Sequence, residues 1–340
     1  MRRDEPLASQ AIEYPAVAPV PATASRPLWS VMIPAYNCGQ YLIETLRSVL
    51  DQDPGQEVMQ IEVVDDCSTQ DDSEAVVRSL GKGRVSFFRQ PRNVGISSNF
   101  TTCVRRAHGS LVHILHSDDT VLPGFYSRMQ EAFNGEPSLG AAFCRHIYMD
   151  EDGHWQFLSL LERRAPGVLV DWLEHLAVSQ RIQAPAIVVR RKVYEELGGF
   201  HPDLFHAGDW DMWKRVVAHY PVWYEPSPLA CYRVHASSDT SRLNRSGGNY
   251  ANTRKAIEVA RAYLPEIIVE EVSRKSYEHY AISALSAARR SLISHDPAAA
   301  VALIREALKF SCSAKMVRSI LRLGLWSIWA GARTAIRRAS

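Results

Sequence analysis

An α/β fold built on a parallel, doubly wound sheet is predicted by three features of this 340-residue sequence. Short apolar runs alternate with stretches of helical periodicity as far as Leu115, at the spacing of successive β-α units. Each of the first four runs is followed by a distinctive polar loop: Pro34–Asn37, Asp65–Thr69, Arg92–Ser97 and Asp118–Thr120. Sheets of this class bind ligands just outside the carboxyl ends of their strands, so loops with chemistry there are informative. The third feature is negative. No Gly-x-Gly-x-x-Gly opens the first helix, so the dinucleotide fingerprint is missing, which argues against a dehydrogenase.

The elements follow in order. Trp29–Ile33 reads as a strand, and Tyr41, Leu42, Leu46, Val49 and Leu50 mark a helix that closes near Asp53-Pro54-Gly55. Ile61–Val64 is a second strand and Ser73–Leu80 a helix stopped by Gly81. Arg84–Phe88 is a third strand, Ser98–Ala107 a helix stopped by Gly109, and Leu111–Leu115 a fourth strand. A helix follows Pro123 as far as about Phe133, and then comes a strand, Ala141–Met149. Asp152-Gly153 reads as a hairpin turn into Trp155–Leu158. Val168–Val178 reads as helix, Ala186–Val189 as strand, and Arg191–Leu197 as a short helix ended by Gly198-Gly199. After a polar loop, Phe200–Gly208, a helix begins at Asp209, and Val222–Arg233 holds two extended pieces.

Helix dominates from Asn249 onward. Tyr277–Ile293, the turn His295-Asp296-Pro297 and Ala298–Phe310 read as two antiparallel helices. The expected organisation is a leader over 1–27, an α/β domain over 28–245, a helical extension over 246–312 and a basic amphipathic helix over 313–340. In that last segment Lys315, Arg318, Arg322, Arg333 and Arg337 lie near one face, with Ile320, Leu321, Leu325, Trp326, Ile328 and Trp329 on the rest. Two placements stay open: on an anionic membrane surface, or packed on its own domain with a solvated basic edge.

Composition narrows the function. A formal charge of +2 argues against a general nucleic-acid binder. The six cysteines are scattered singly, which reads as reduced thiols in a cytoplasmic protein rather than a disulfide framework or a zinc site. No uncharged apolar run approaches the roughly 20 residues that cross a bilayer. Met1–Arg26 is rich in Ala and Pro, lacks the apolar core of a signal peptide and is expected to be disordered. The adjacent acids Asp118 and Asp119, at the end of an apolar run, invite a hard cation such as Mg²⁺ or Mn²⁺.

Seven segments, taken together and in order, resemble the family 2 glycosyltransferases. They are Val31–Asn37, Val63–Asp71, Arg92–Ser97, Ser117-Asp118-Asp119, Gly198-Gly199-Phe200, Gly208–Trp213 and Tyr232–His235. The resemblance covers about Ser30 to Ser238 and implies the GT-A fold, a Rossmann-like mixed sheet, here with a C-terminal helical extension. It implies a metal-dependent, inverting transfer from a nucleotide-diphosphate sugar to a saccharide or lipid-linked acceptor, in the synthesis of cell-surface polysaccharide or glycoconjugate. Uracil is the expected base.

By that resemblance Asp65 accepts a hydrogen bond from the base, and Pro34, Ala35, Tyr36 and Asn37 wrap the nucleoside. Asp66, Arg92, Asn93, Gly95 and Ser97 join the donor side. Asp118 holds the ribose or sugar, and Asp119 and His235 bind Mn²⁺ or Mg²⁺. Asp209 matches the catalytic base, while Trp210 and Asp211 are acceptor-side candidates. Asp211 as base, with Asp209 capping the helix, is the other arrangement of that pair. One departure stands out: the family often carries Asp where this chain has His116.

The roles are chemically complete. A cation neutralises charge on a departing diphosphate, a carboxylate takes the proton of an attacking hydroxyl, and a pocket holds base and ribose. Two other functions compete. A non-catalytic nucleotide-sugar-binding subunit is motivated by His116, and it would bind donor without transfer. A sugar nucleotidyltransferase would need a Gly-rich, basic phosphate loop after the first strand, which Pro34–Gly39 does not supply.

Overall fold

The computed structural model describes residues 13–21, 26–235, 243 and 245–325. Its sheet begins as the alternation of the sequence predicts. Strands β1 (Trp29–Ala35), β2 (Met59–Asp65), β3 (Ser86–Arg89) and β4 (Leu111–Ile114) are all parallel, in the order β3-β2-β1-β4. Helices α1 (Gly39–Leu50), α2 (Ser73–Gly81) and α3 (Ile96–Arg106) make the crossovers. Alternate residues of β1 serve two layers. Trp29, Val31 and Ile33 join Leu42, Leu46 and Val49 of α1 on one face, and Met32 joins Phe100, Cys103 and Val104 of α3 on the other. A strand buried on both faces reads as a continuous apolar run, and β1 is buried throughout.

The sheet then becomes mixed. β5 (Thr120–Val121) and α4 (Phe125–Gly135) lead to β6 (Ala141–Met149), which folds back on β7 (Trp155–Leu158) through the Asp152-Gly153 turn. Next come β8 (Gly167–Val168), α5 (Leu173–Val178), β9 (Ile187–Arg190), α6 (Arg191–Leu197), α7 (Gly208–His219) and β10 (Val222–Arg233). β9 runs antiparallel between β4 and β6, and β10 pairs parallel with β6 and antiparallel with β5. Mixed pairing fits the fold that the resemblance implies.

Three local readings change. Val168 is not helical: it pairs with Trp223 of β10, so α5 starts only at Leu173. Val222–Arg233 is one strand whose register shifts between Glu225 and Ala230, because Pro226 and Pro228 cannot donate to a ladder. The short β5 had no apolar run long enough to announce it.

The C-terminal helices share the core. α8 (Gly248–Ala260), α9 (Glu266–Ile293) and α10 (Pro297–Phe310) place Ile257, Ala281, Leu303 and Phe310 in the same cluster as Met32 and Trp210. Residues 314–325 form one more helix, burying Met316 and Leu323 while Val317, Leu321 and Leu325 stay exposed. Arg333, Arg337, Trp326, Ile328 and Trp329 lie outside the described residues. Among the described residues no helix is long and apolar enough to cross a membrane. All six cysteines are free.

The expectation of a disordered leader is overturned where the leader is described. Residues 13–21, without regular secondary structure, lie against α3, α6 and α7. Val17 is buried, the Gly199 amide donates to the Pro15 carbonyl at 2.7 Å, and Arg191 Nη2 donates to the Ala18 carbonyl at 2.9 Å. Tyr14 lies under the Arg215 guanidinium, 3.7 Å from its ring, and its hydroxyl reaches Asp211 Oδ1 at 3.4 Å. Composition argues against a packed core of the segment's own, but here its polar backbone is satisfied by a neighbouring surface. Removing residues 13–21 from a chain that already lacks 1–12 is expected to lower the melting temperature by roughly 5 °C or more, from one buried Val and several lost hydrogen bonds. A thermal melt of the two truncations checks this; equal midpoints would show that the strap adds no stability.

Candidate functional site

The carboxyl edge of the parallel strands is assembled by side chains that tie one loop to the next. β1 ends at Ala35, leaving Tyr36 exposed and Asn37 in the left-handed region at φ 49°. Asn37 Oδ1 accepts the amides of Thr69 at 2.9 Å and Gln70 at 3.1 Å, and its own amide donates to Ser68 Oγ at 2.9 Å. Asp65 accepts the Ser68 amide at 3.0 Å, the Ser68 hydroxyl, and Arg89 Nε at 2.8 Å. Asp66 accepts the amides of Val94 at 2.7 Å and Gly95 at 3.0 Å. Burial raises the Asp66 carboxyl above its ordinary range, and these two amides act the other way.

The expected donor-side residues differ in exposure. The Asp65 side chain is wholly buried and bonded to Arg89 and Ser68, and so anchors the loop. Pro34 and Ala35 are buried strand positions paired with Val64 and Asp65. Ser97 faces inward, donating to the Leu204 carbonyl at 3.0 Å beneath Gly208, where any Cβ would sit 3.0 Å from its Oγ. Tyr36, Arg92 and Asn93 are the exposed members of the set, and Gly95 supplies the turn at φ 84°.

The acid pair lies one loop further along. Thr45 on α1 clamps that loop, donating to the carbonyls of Ser117 at 3.0 Å and Asp119 at 2.8 Å. Asp119 is fully buried; its Oδ1 accepts the Arg233 amide at 2.8 Å, while Oδ2 has no hydrogen-bond partner. His116 Nδ1 is 3.6 Å from that oxygen, and its ring rests on Phe100 with centroids 5.0 Å apart. One ligand atom from each of His116, Asp118 and Asp119 lies within 4.8 Å of the others. His235 Nε2 meets Asp118 Oδ2 at 3.0 Å, beside the Tyr41 ring. Arg233 secures the floor, its Nε donating to the Asp118 carbonyl at 2.8 Å and its Nη2 pairing with Glu44.

Electrostatics set the two acids apart. Burial, then the Asp118 charge, push the Asp119 carboxyl well above its ordinary range, against the Arg233 amide and guanidinium. Burial also opposes ionisation of Asp118, but the His235 hydrogen bond and the charges of His116 and His235 outweigh it, and its pKa falls. Burial lowers the His116 pKa from its ordinary value, opposed by the Asp118 charge. A buried carboxylate oxygen without a donor, beside a second carboxylate and an imidazole, is a donor set that a divalent cation completes. The residues therefore fit the metal that the resemblance implies. His116, which the sequence shows only as a missing acid, belongs to this group alongside the expected Asp119; His235 stands against Asp118.

Asp209 opens α7 on the same edge, where Gly208 packs on Ser97 of α3. The N-cap position is Ala207, so Asp209 is not spent as the cap. Its Oδ1 accepts the Trp210 amide at 2.7 Å, and its Oδ2 accepts Gln180 Nε2 at 2.8 Å. Burial pushes its pKa up to about 7, with those two donors pulling the other way. Asp211 is different: fully buried, it pairs with Arg215 at 3.1 Å and accepts the Tyr263 hydroxyl at 2.9 Å. Trp210 is equally buried, its indole donating to the Leu176 carbonyl at 2.7 Å. Trp210 and Asp211, the acceptor-side candidates, are thus interior residues of α7 with bonded side chains. Of the two acids, Asp209 alone is partly exposed. Gln180 and Arg89 had no sequence signal; each lies over 20 positions from the acid it serves.

Comparison with known proteins bears on the family and the fold. The family model described as "Glycosyl transferase family 2" matches residues 30–198. The uncharacterized protein MT1568 of Mycobacterium tuberculosis (strain CDC 1551 / Oshkosh) is 30% identical over 249 residues, covering 70% of this chain and 77% of that one. Chondroitin synthase of Escherichia coli is 32% identical over 136 residues, which are 39% of this chain but only 19% of that protein. Among solved structures, the mannosyltransferase PcManGT from Pyrobaculum calidifontis, in complex with GDP-Man and Mn²⁺, superposes with a TM-score of 0.56. The identity is 19%, over 94% of this chain and 85% of that one. At that identity the likeness concerns the fold.

Proposed function

The chain belongs to the family 2 glycosyltransferases, an enzyme class of glycosyl transfer, and on that premise we propose a metal-dependent, inverting transfer from a nucleotide-diphosphate sugar to a hydroxyl of a saccharide or lipid-linked acceptor. The observation that carries the proposal is the unpartnered, fully buried Oδ2 of Asp119, set beside Asp118 and His116 at the carboxyl edge of the sheet. His116, Asp118 and Asp119, with His235 against Asp118, would hold Mn²⁺ or Mg²⁺. When bound, such an ion supplies positive charge for the diphosphate leaving group.

This chain's own groups do the rest. Asp209, as the carboxylate, takes the proton from the acceptor hydroxyl as that oxygen attacks the anomeric carbon and the bond to the diphosphate breaks. One displacement inverts the anomeric centre. The exposed Tyr36, Arg92 and Asn93 lie on the two loops where the nucleoside is expected, and Arg89 and Ser68 keep the loop of Asp65 in place. Chondroitin synthase among the relatives supports a role in polysaccharide synthesis.

The test is a panel of uridine and guanosine diphosphate sugars incubated with purified protein and Mn²⁺ or Mg²⁺, reading binding and slow donor hydrolysis. Metal-dependent hydrolysis of one donor is expected and names the sugar. Binding without hydrolysis, in the presence of candidate acceptors, would instead identify a non-catalytic binding subunit; no binding to any donor would overturn the proposal.

A further inference from the structure

The C-terminal helices reach the candidate base. Tyr280 on α9 accepts a hydrogen bond from the backbone N–H of Gln180 at 3.1 Å, and Gln180 Nε2 donates to Asp209 Oδ2 at 2.8 Å. The Tyr280 ring also packs on Trp210, the residue after Asp209, with centroids 5.4 Å apart. Gln180 sits in the connection after α5, too short to be positioned by regular structure of its own. Its Oε1 is buried and has no hydrogen-bond partner. An unsatisfied buried amide oxygen costs stability, so an orientation that keeps the donor on Asp209 and leaves the acceptor unpaired suits a positioning task better than a structural one.

We propose that Tyr280 and Gln180 form a relay that positions the Asp209 carboxylate, which makes the helical extension part of the transfer site. The inference rests on Asp209 being the base. Both residues act through Asp209 and are positioning residues. Other charged groups nearby are engaged elsewhere. On α7, Asp211 turns to Tyr14, Tyr263 and Arg215, and Lys214 donates to the Ala256 carbonyl at 3.0 Å. Arg181, next to Gln180, pairs with Glu162 at 3.0 Å. From α9, the Tyr280 phenol is the titratable group set against Asp209, raised above its ordinary range by burial first and then by the charge of Asp209, against the Gln180 amide.

A donor on a carboxylate favours its ionised form, so losing Gln180 Nε2 raises the Asp209 midpoint. The full chain labelled with ¹³C at the Asp carboxyl is titrated by NMR, Asp209 being assigned by its absence in Asp209→Asn. Gln180→Leu is expected to move the midpoint upward from near 7, and Tyr280→Phe to move it the same way by less. Donor turnover should shift its acidic limb in parallel, with kcat lowered about tenfold and donor KM unchanged. If Gln180→Leu does not fold, Gln180→Glu places a second carboxyl beside Asp209 and must also raise the midpoint. Unmoved midpoints in the folded variants would overturn the relay. Full transfer by Asp209→Asn would instead overturn the base assignment, leaving the titration result standing.

Discussion

Asp209→Asn is expected to lower transfer by roughly 10² to 10⁴, the usual contribution of a positioned proton acceptor, while donor binding stays within a few-fold of the parent. The amide keeps the shape, and its oxygen can still accept the Trp210 amide, but it takes no proton. Isothermal titration with the donor and a product assay separate the two effects. In the parent, activity should rise with pH through about 7, where the buried carboxyl ionises, and fall away below it. The stability consequence has the opposite sign. A carboxyl raised from its ordinary value binds more protons folded than unfolded between about 4 and 7, so the fold loses stability as pH rises through that window. Asp209→Asn should therefore melt no lower than the parent at pH 7, and a melt well below it would mean the carboxylate serves the fold.

Asp119→Asn should abolish the metal response. In the parent, Mn²⁺ at about 100 times its dissociation constant should stabilise the fold by about 2.7 kcal/mol, read as a rise in melting temperature. The Asn variant keeps an acceptor for the Arg233 amide, so without metal it should melt no lower than the parent, because a buried charge beside Asp118 has been removed. With Mn²⁺ its melting temperature should stay fixed, and metal-dependent donor hydrolysis should fall by at least about a hundredfold, the scale of losing a preorganised charge partner. A variant with an undiminished Mn²⁺ shift would remove Asp119 from the metal site.

The two effects separate the functions of the edge. Loss at Asp119 strikes the leaving-group side and appears as lost metal binding. Loss at Asp209 strikes the attacking side and appears as a slow, donor-saturated enzyme.

Much of this edge was legible in the chain because parallel strands announce themselves. A strand buried on both faces is a run of apolar residues, and the polar residues that interrupt it must lie in the loop that follows. Trp29–Ile33, Ile61–Val64 and Leu111–Leu115 each stop within three residues of Tyr36, Asp65 and Asp118, so the loops could be placed before any contact was known. Short or antiparallel additions gave no such signal: β5 is two residues long, and β8 takes Val168 out of a helical pattern only because Trp223 lies alongside.

What a sequence determines by itself is local. Here that is the order of the elements, the class of the sheet and the presence of acids at its carboxyl edge, since periodicity and turn chemistry depend on near neighbours alone. The direction in which each acid faces was decided only by tertiary structure. Asp65 and Asp119 both sit at strand or loop ends and both are fully buried, yet Arg89 and Ser68 saturate the first while the second keeps one oxygen without a donor. Asp209 and Asp211 lie two residues apart on one helix, about 200° around its axis. One therefore meets Gln180 near the open edge, and the other is closed in by Tyr14, Tyr263 and Arg215. Burial and hydrogen-bond donors supplied by distant segments decide whether a carboxylate anchors a loop, holds a cation or accepts a proton, and no local pattern encodes them.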